Sequence, residues 1–173
     1  MNRIDKTFKI LQSKGRKAFI AYITAGDPDI KSTADMVVAL EKSGVDIIEL
    51  GIPFSDPIAD GPTIQAASFR ALQKGSSLAK VFAMVAKLRK QTQIPIAFMT
   101  YYNPVLKYGL DNFFKSCRKS GVDGVIIPDL PAKESGDVLR LGRKTGVRTI
   151  FLVAPTSTRD RIAQIVKRSS GFI

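Results

Sequence analysis

Three times along this chain a helical stretch ends in or beside a basic residue, a glycine follows, and an apolar run begins. The junctions are Lys42-Ser43-Gly44-Val45-Asp46, Lys119-Ser120-Gly121-Val122-Asp123 and Lys144-Thr145-Gly146-Val147. Cations near a helix end complement its dipole, and glycine supplies the left-handed residue that stops the helix. A repeated helix–stop–strand unit restricts the fold strongly, because strands joined through helices run parallel. Strand signals lie at 18–24, 46–50, 96–100, 124–127 and 149–153. Helix signals lie at 30–42, 63–73, 78–91, 110–119, 133–144 and 159–168. Ile4, Phe8 and Leu11 predict a further short amphipathic helix. The strands are nearly continuous apolar runs, as in a sheet covered on both faces.

No linker or low-complexity stretch interrupts this alternation, so residues 1–173 read as a single domain. Five strands would suffice for a small doubly wound sheet. However, Ser169-Ser170-Gly171-Phe172-Ile173 reads as another helix stop and the first residues of a sixth strand. A complete (β/α)₈ barrel typically takes about 250 residues. The expected class is therefore α/β, of the TIM-barrel family, with about the first five to six βα units, the N-terminal two-thirds of a barrel.

Composition narrows the chemistry. The chain has no histidine and one cysteine, Cys117. A histidine-based triad and an internal disulfide are impossible, and no metal site is expected. Absence of a signal-peptide pattern and of a long apolar run points to the cytoplasm. The net charge of +12 raises the question of nucleic acid. The basic residues instead gather at helix C-termini, and no aromatic residues interleave with them as in a base-stacking platform. A positive field also suits steering of a small anionic substrate.

The strands run into Thr24-Ala25-Gly26-Asp27-Pro28, Gly51-Ile52-Pro53, Tyr101-Tyr102-Asn103-Pro104, Pro128-Asp129-Leu130-Pro131 and Ala154-Pro155-Thr156-Ser157. In parallel α/β folds ligands bind at this C-terminal rim. Glu49 is a charge inside an apolar strand, a costly placement unless the group is paired or used. Alternation puts Ile47, Glu49 and Gly51 on one face and Ile48 and Leu50 on the other, aiming Glu49 into the barrel mouth. Burial there would let it donate as well as accept a proton; the alternative is a structural Glu held by a Lys or Arg. Asp60, ahead of Gly61-Pro62, reads locally as a helix cap, and Asp56-Pro57 and Asp27-Pro28-Asp29 read as turn or cap residues. Asn103-Pro104 reads as a turn. Tyr22, Tyr101, Phe98, Met99 and Ile126 read singly as core, and as a group as the wall of an apolar pocket for a planar ligand.

Residues 49–65, Glu49-Leu50-Gly51-Ile52-Pro53-Phe54-Ser55-Asp56-Pro57-Ile58-Ala59-Asp60-Gly61-Pro62-Thr63-Ile64-Gln65, closely resemble the signature of the tryptophan synthase α subunit family. Ala21-Tyr22-Ile23-Thr24-Ala25-Gly26-Asp27-Pro28, Tyr101-Tyr102-Asn103-Pro104 and Asp129-Leu130-Pro131 extend the resemblance over essentially the whole chain. It implies a (β/α)₈ barrel that cleaves indole-3-glycerol phosphate to indole and glyceraldehyde 3-phosphate. It implies that Glu49 shuttles protons and that Asp60 hydrogen-bonds the indole N–H. It places Tyr22, Ile64, Tyr101, Ile126 and Val153 in the indole pocket. It places Pro53, Asp56, Asn103, Asp129 and Pro131 at the interface with a β subunit in an α₂β₂ assembly. The α chain is expected to need no cofactor, pyridoxal phosphate belonging to the β subunit. The family's phosphate-binding loops follow the sixth to eighth strands, outside these residues. The chain alone is therefore expected to be inactive and poorly soluble.

Overall fold

The computed structural model describes residues 1–173. The elements are α1 (Arg3–Ser13), β1 (Ile20–Thr24), α2 (Ile30–Lys42), β2 (Ile47–Gly51), α3 (Pro62–Gln73), α4 (Leu78–Leu88), β3 (Ile96–Met99), α5 (Tyr102–Tyr108), α6 (Leu110–Ser120), β4 (Gly124–Ile126), α7 (Gly136–Thr145), β5 (Arg148–Ile150) and α8 (Arg159–Arg168). The five strands form one parallel sheet in the order β1-β2-β3-β4-β5.

The repeated junctions do more than stop helices. Gly44, Gly121 and Gly146 take φ of +94°, +86° and +77°, where a side chain would be strained. The aspartates that follow two of them tie neighbouring strands together. Asp46 Oδ2 accepts the Phe19 N–H at 2.8 Å, and Asp123 Oδ2 accepts the Ile96 N–H at 3.0 Å. Asp123, 3 % exposed, also takes Arg3 Nη1 at 3.0 Å and Arg89 Nη2 at 2.9 Å. The third junction carries Arg148 at this place, and its guanidinium pairs with Asp5 of α1. The bottom of the sheet is thus laced by charge while its faces are apolar.

Those faces divide as alternation requires. Ile48, Leu50, Ile96, Phe98 and Val125 pack outward against the helices in the larger core cluster. Ile4, Ile47, Ala97, Ile126 and Ile150 form a second cluster on the inner face, with Phe8, Ile20, Met99 and Phe172 against it. Helix α1 presents the fully buried Ile4 to this inner face, as its spacing predicts.

Four expectations need correction. Asn103-Pro104, read as a turn, lies in α5, a helix the sequence signals did not assign; Pro104 is in its first turn, where no intrahelical N–H is required. Strand β5 ends at Ile150 rather than 153, having a pairing partner on one side only. Helix α7 starts at Gly136 rather than 133, because Pro131–Glu134 closes a turn through Glu134 N–H to Pro131 O at 2.9 Å. The residues after α8 form no strand, although Ser170 N–H bonds Thr149 O at 2.9 Å alongside β5.

Candidate active site

Glu49 stands on the inner face of β2, in register with Tyr22 of β1 and Ala97 of β3. It is half-buried and enters no ion pair, so the structural alternative of a Lys or Arg partner fails. Burial alone raises its pKa above the ordinary carboxyl value. A carboxyl with no fixed cation and a raised pKa is better able to hold and return a proton than an ordinary carboxylate.

Asp60 is half-buried at the end of the β2–α3 loop and is not a helix cap. The N-cap of α3 is Gly61, with no side-chain cap bond, and Pro62 starts the helix. Only the Asp60 carbonyl is engaged near this helix, accepting Gln65 Nε2 at 2.8 Å. Its carboxylate faces the tyrosines. The Tyr22 hydroxyl has its pKa raised by burial first, against a hydrogen bond with Thr24, and then by the charges of Asp60, Tyr101 and Glu49. The charges of both carboxylates thus act in the same direction on this hydroxyl.

Tyr101, beyond β3 at the N-cap of α5, organises the loop. Its hydroxyl accepts the Ala59 N–H at 2.9 Å, and its ring lies 5.4 Å from that of Phe54. Burial raises its pKa, the hydrogen bond from Ala59 opposes this, and the charge of Asp60 adds to the shift. The next residue, Tyr102, donates its N–H to Asp129 Oδ1 and Oδ2 at 2.9 and 3.1 Å, so the β4–α7 loop caps α5. Three rim segments are joined in series: the β2–α3 loop, the start of α5 and the β4–α7 loop.

The other predicted residues divide. Ile126 is buried in the inner cluster and Ile64 half-buried in the first turn of α3, both consistent with an apolar wall. Val153 lies beyond β5 and is exposed, and Phe98 points to the opposite face, where it packs on Phe82 at 5.3 Å. Of the residues expected at a partner surface, Asp56, Asn103 and Pro131 are exposed and Asp129 is half-buried, whereas Pro53 is buried. Asp56 accepts from Ser55 Oγ, the turn reading. Asp29 caps α2 through Ser32 N–H at 2.7 Å, and Asp27 pairs with Arg70 Nη2 at 2.7 Å, so neither is free for chemistry. Sequence reasoning missed the role of Gly51: a Cβ there would lie 2.6 Å from Tyr22 Cζ and closer to the hydroxyl. Its signal was a glycine at a strand end beside the charged strand residue.

A parallel sheet of βα units in the order β1-β2-β3-β4-β5, with Glu49, Asp60 and tyrosines at its C-terminal rim, belongs to the (β/α)₈ class of folds. Relatives narrow this further. The family model described as tryptophan synthase alpha chain matches residues 8–173, and the chain belongs to that family. The tryptophan synthase alpha chain of Thermoanaerobacter sp. (strain X514) is 53% identical over 173 residues, 100% of this chain and 66% of the relative. That of Geotalea daltonii is 48% identical with the same coverage. The crystal structure of the alpha chain from Legionella pneumophila subsp. pneumophila superposes with a TM-score of 0.94 at 41% identity, covering 100% of this chain and 66% of that one. The tryptophan synthase complex from Pyrococcus furiosus gives 0.85 at 42% identity, covering 88% and 63%. The chain thus spans 66% of the length of these curated relatives.

Proposed function

We propose that this chain supplies the acid–base part of the tryptophan synthase alpha reaction, the retro-aldol cleavage of indole-3-glycerol phosphate to indole and glyceraldehyde 3-phosphate. The observation that carries this reading is the position of Glu49, half-buried on the inner face of β2 opposite Tyr22 and without a cation partner. Cleavage requires a proton on indole C3 and loss of a proton from the side-chain hydroxyl on the carbon bonded to it. The C3–carbon bond then breaks, its electrons return to the ring, and the alkoxide becomes the aldehyde. Glu49, half-buried and without a cation partner, suits both proton transfers. Asp60 suits the indole N–H, where a carboxylate offsets the positive charge that develops on the protonated ring. Tyr22, Tyr101, Ile64 and Ile126 bound the space for the planar ring, with Val153 at its outer edge.

The exposed Asp56, Asn103 and Pro131, with Asp129, are proposed to meet a β subunit that carries pyridoxal phosphate, in an α₂β₂ assembly in the cytoplasm. This chain needs no cofactor for the cleavage. The Pyrococcus furiosus neighbour is itself a tryptophan synthase complex, which supports the partner. Barrel phosphate sites form from late loops, so the 173 residues alone are expected to release no indole. A chimera joining them to the C-terminal third of the Thermoanaerobacter relative is expected to turn over, and Glu49→Gln is expected to abolish that turnover while the chimera stays folded. Wild-type-like indole release by the Glu49→Gln chimera would remove Glu49 from the chemistry.

A further inference from the structure

On the outer side of the sheet, away from Glu49, a groove of about 700 Å³ runs between α2 and α4. Its apolar floor is Ile30 and Ala34 of α2 with Ala83, Met84 and Leu88 of α4. The small Ala34 and Ala83 open it. From Lys80 to Leu88 it follows α4 for about 12 Å at 1.5 Å per residue, so it is elongated rather than compact. Lys31, Lys74, Lys80 and Lys87 line it. Every ion pair in the structure is made by an arginine, and none of these lysines is neutralised. Two aspartates also line it, Asp29, which caps α2 through Ser32, and Asp35, so four ammonium groups face two carboxylates and the lining stays net positive.

We propose that this groove docks an acidic amphipathic helix of a protein partner. A helix laid between two ridges offers an apolar row to the floor and carboxylates to the lysines on either side. The groove's length, floor and excess of positive charge each match such a segment. Nucleic acid would gain nothing from the floor, and no aromatic side chain lines the groove to stack a base. A membrane surface would not enter a concave cleft between helices. The groove lies among the helices on the outer side of the sheet, so an occupant leaves the inner face open.

The test is fluorescence anisotropy of the chimera that completes the barrel with the C-terminal third of the Thermoanaerobacter relative, titrated against a labelled peptide of about 18 residues, leucines at i, i+3, i+4 and i+7 and glutamates on the flanks. The expected result is saturable binding, weakened at least about tenfold for a scrambled peptide of the same composition. Lys80→Glu with Lys87→Glu is expected to weaken binding about tenfold or more. Because Lys80 Nζ also holds Gly75 O at 2.6 Å, Lys87→Glu alone is measured as well and is expected to weaken it severalfold. Ala83→Gln, which leaves the charge unchanged, is expected to weaken it by crowding the floor; circular dichroism checks each fold. Equal affinity for the scrambled peptide, indifference to these variants, no binding, or binding only of duplex nucleic acid or anionic vesicles overturns the proposal.

Discussion

Gly51 closes β2 beside Glu49, and the Tyr22 ring lies against its Cα. A Cβ at this position would fall 2.6 Å from Tyr22 Cζ and 2.9 Å from Cε2, with the hydroxyl closer still. Ordinary contact begins near 3.4 Å, so Gly51→Ala forces the ring back by about 1 Å. Overpacking of this kind typically costs about 1–3 kcal/mol. Gly51 lacks the positive φ that would itself resist a side chain. In a Tyr22→Leu background the same substitution should therefore turn neutral or stabilising, by about 0.5 kcal/mol, since alanine loses less chain entropy than glycine. A double-mutant cycle by urea denaturation of the four proteins should give a coupling of roughly 1.5–3.5 kcal/mol. If Gly51→Ala costs the same in both backgrounds, the Tyr22 ring is not what excludes a side chain at position 51, and this reading of Gly51 fails.

Glu49 and the lower rim give two further tests. Burial raises the Glu49 pKa in the folded chain. Its contribution to stability is thus fully present below the ordinary carboxyl value and is lost as pH rises through the raised one. Glu49→Gln should leave stability unchanged at low pH and increase it at neutral pH; a loss at neutral pH, read from urea midpoints, would mean that the carboxylate is paired. At the lower rim, Asp123→Ala strands the Arg89 guanidinium, whose pKa burial has already lowered to about 10 against the pull of Asp123. That variant should cost about 3–5 kcal/mol. Asp46→Ala loses the Phe19 N–H bond and a 4.0 Å pair with the exposed Arg16, and should cost only about 1 kcal/mol. Equal urea midpoints for the two would contradict the distinction.

Much of this was legible in the chain because period and punctuation agree. The glycine stops, the apolar runs and the strand alternation place Glu49 on the inner face without reference to any relative. What was not legible has physical reasons. Tyr102–Tyr108 hid as a turn because Asn-Pro is ordinary turn chemistry, and the group that caps this helix, Asp129, comes from a loop 27 residues away. Asp60 read as a cap because an acidic residue before Gly-Pro usually is one; its freedom emerges only when Gly61 takes the N-cap place without a side-chain bond. The burial of Pro53, beside the buried Ile52 at the start of the loop, depends on tertiary packing that local sequence does not encode.

The opening junctions and the site are parts of one device. Asp46 and Phe19 exchange two hydrogen bonds, Asp46 N–H to Phe19 O at 2.9 Å and Phe19 N–H to Asp46 Oδ2 at 2.8 Å. From that anchor the parallel register carries Tyr22 opposite Glu49 and Thr24 opposite Gly51. Asp123 and Ile96 make the same pair of bonds, at 2.8 and 3.0 Å, and the register from there sets Met99 opposite Ile126. In a strand a slip of one residue turns every side chain to the other face. A slip of β2 would put Glu49 among the helices and Leu50 in the rim. The aspartates at the N-terminal ends of the strands therefore hold the carboxylate and the apolar wall in place from the far side of the sheet, where neither touches a ligand. Their cost when removed should appear first as lost stability, and as lost chemistry only where the register gives way.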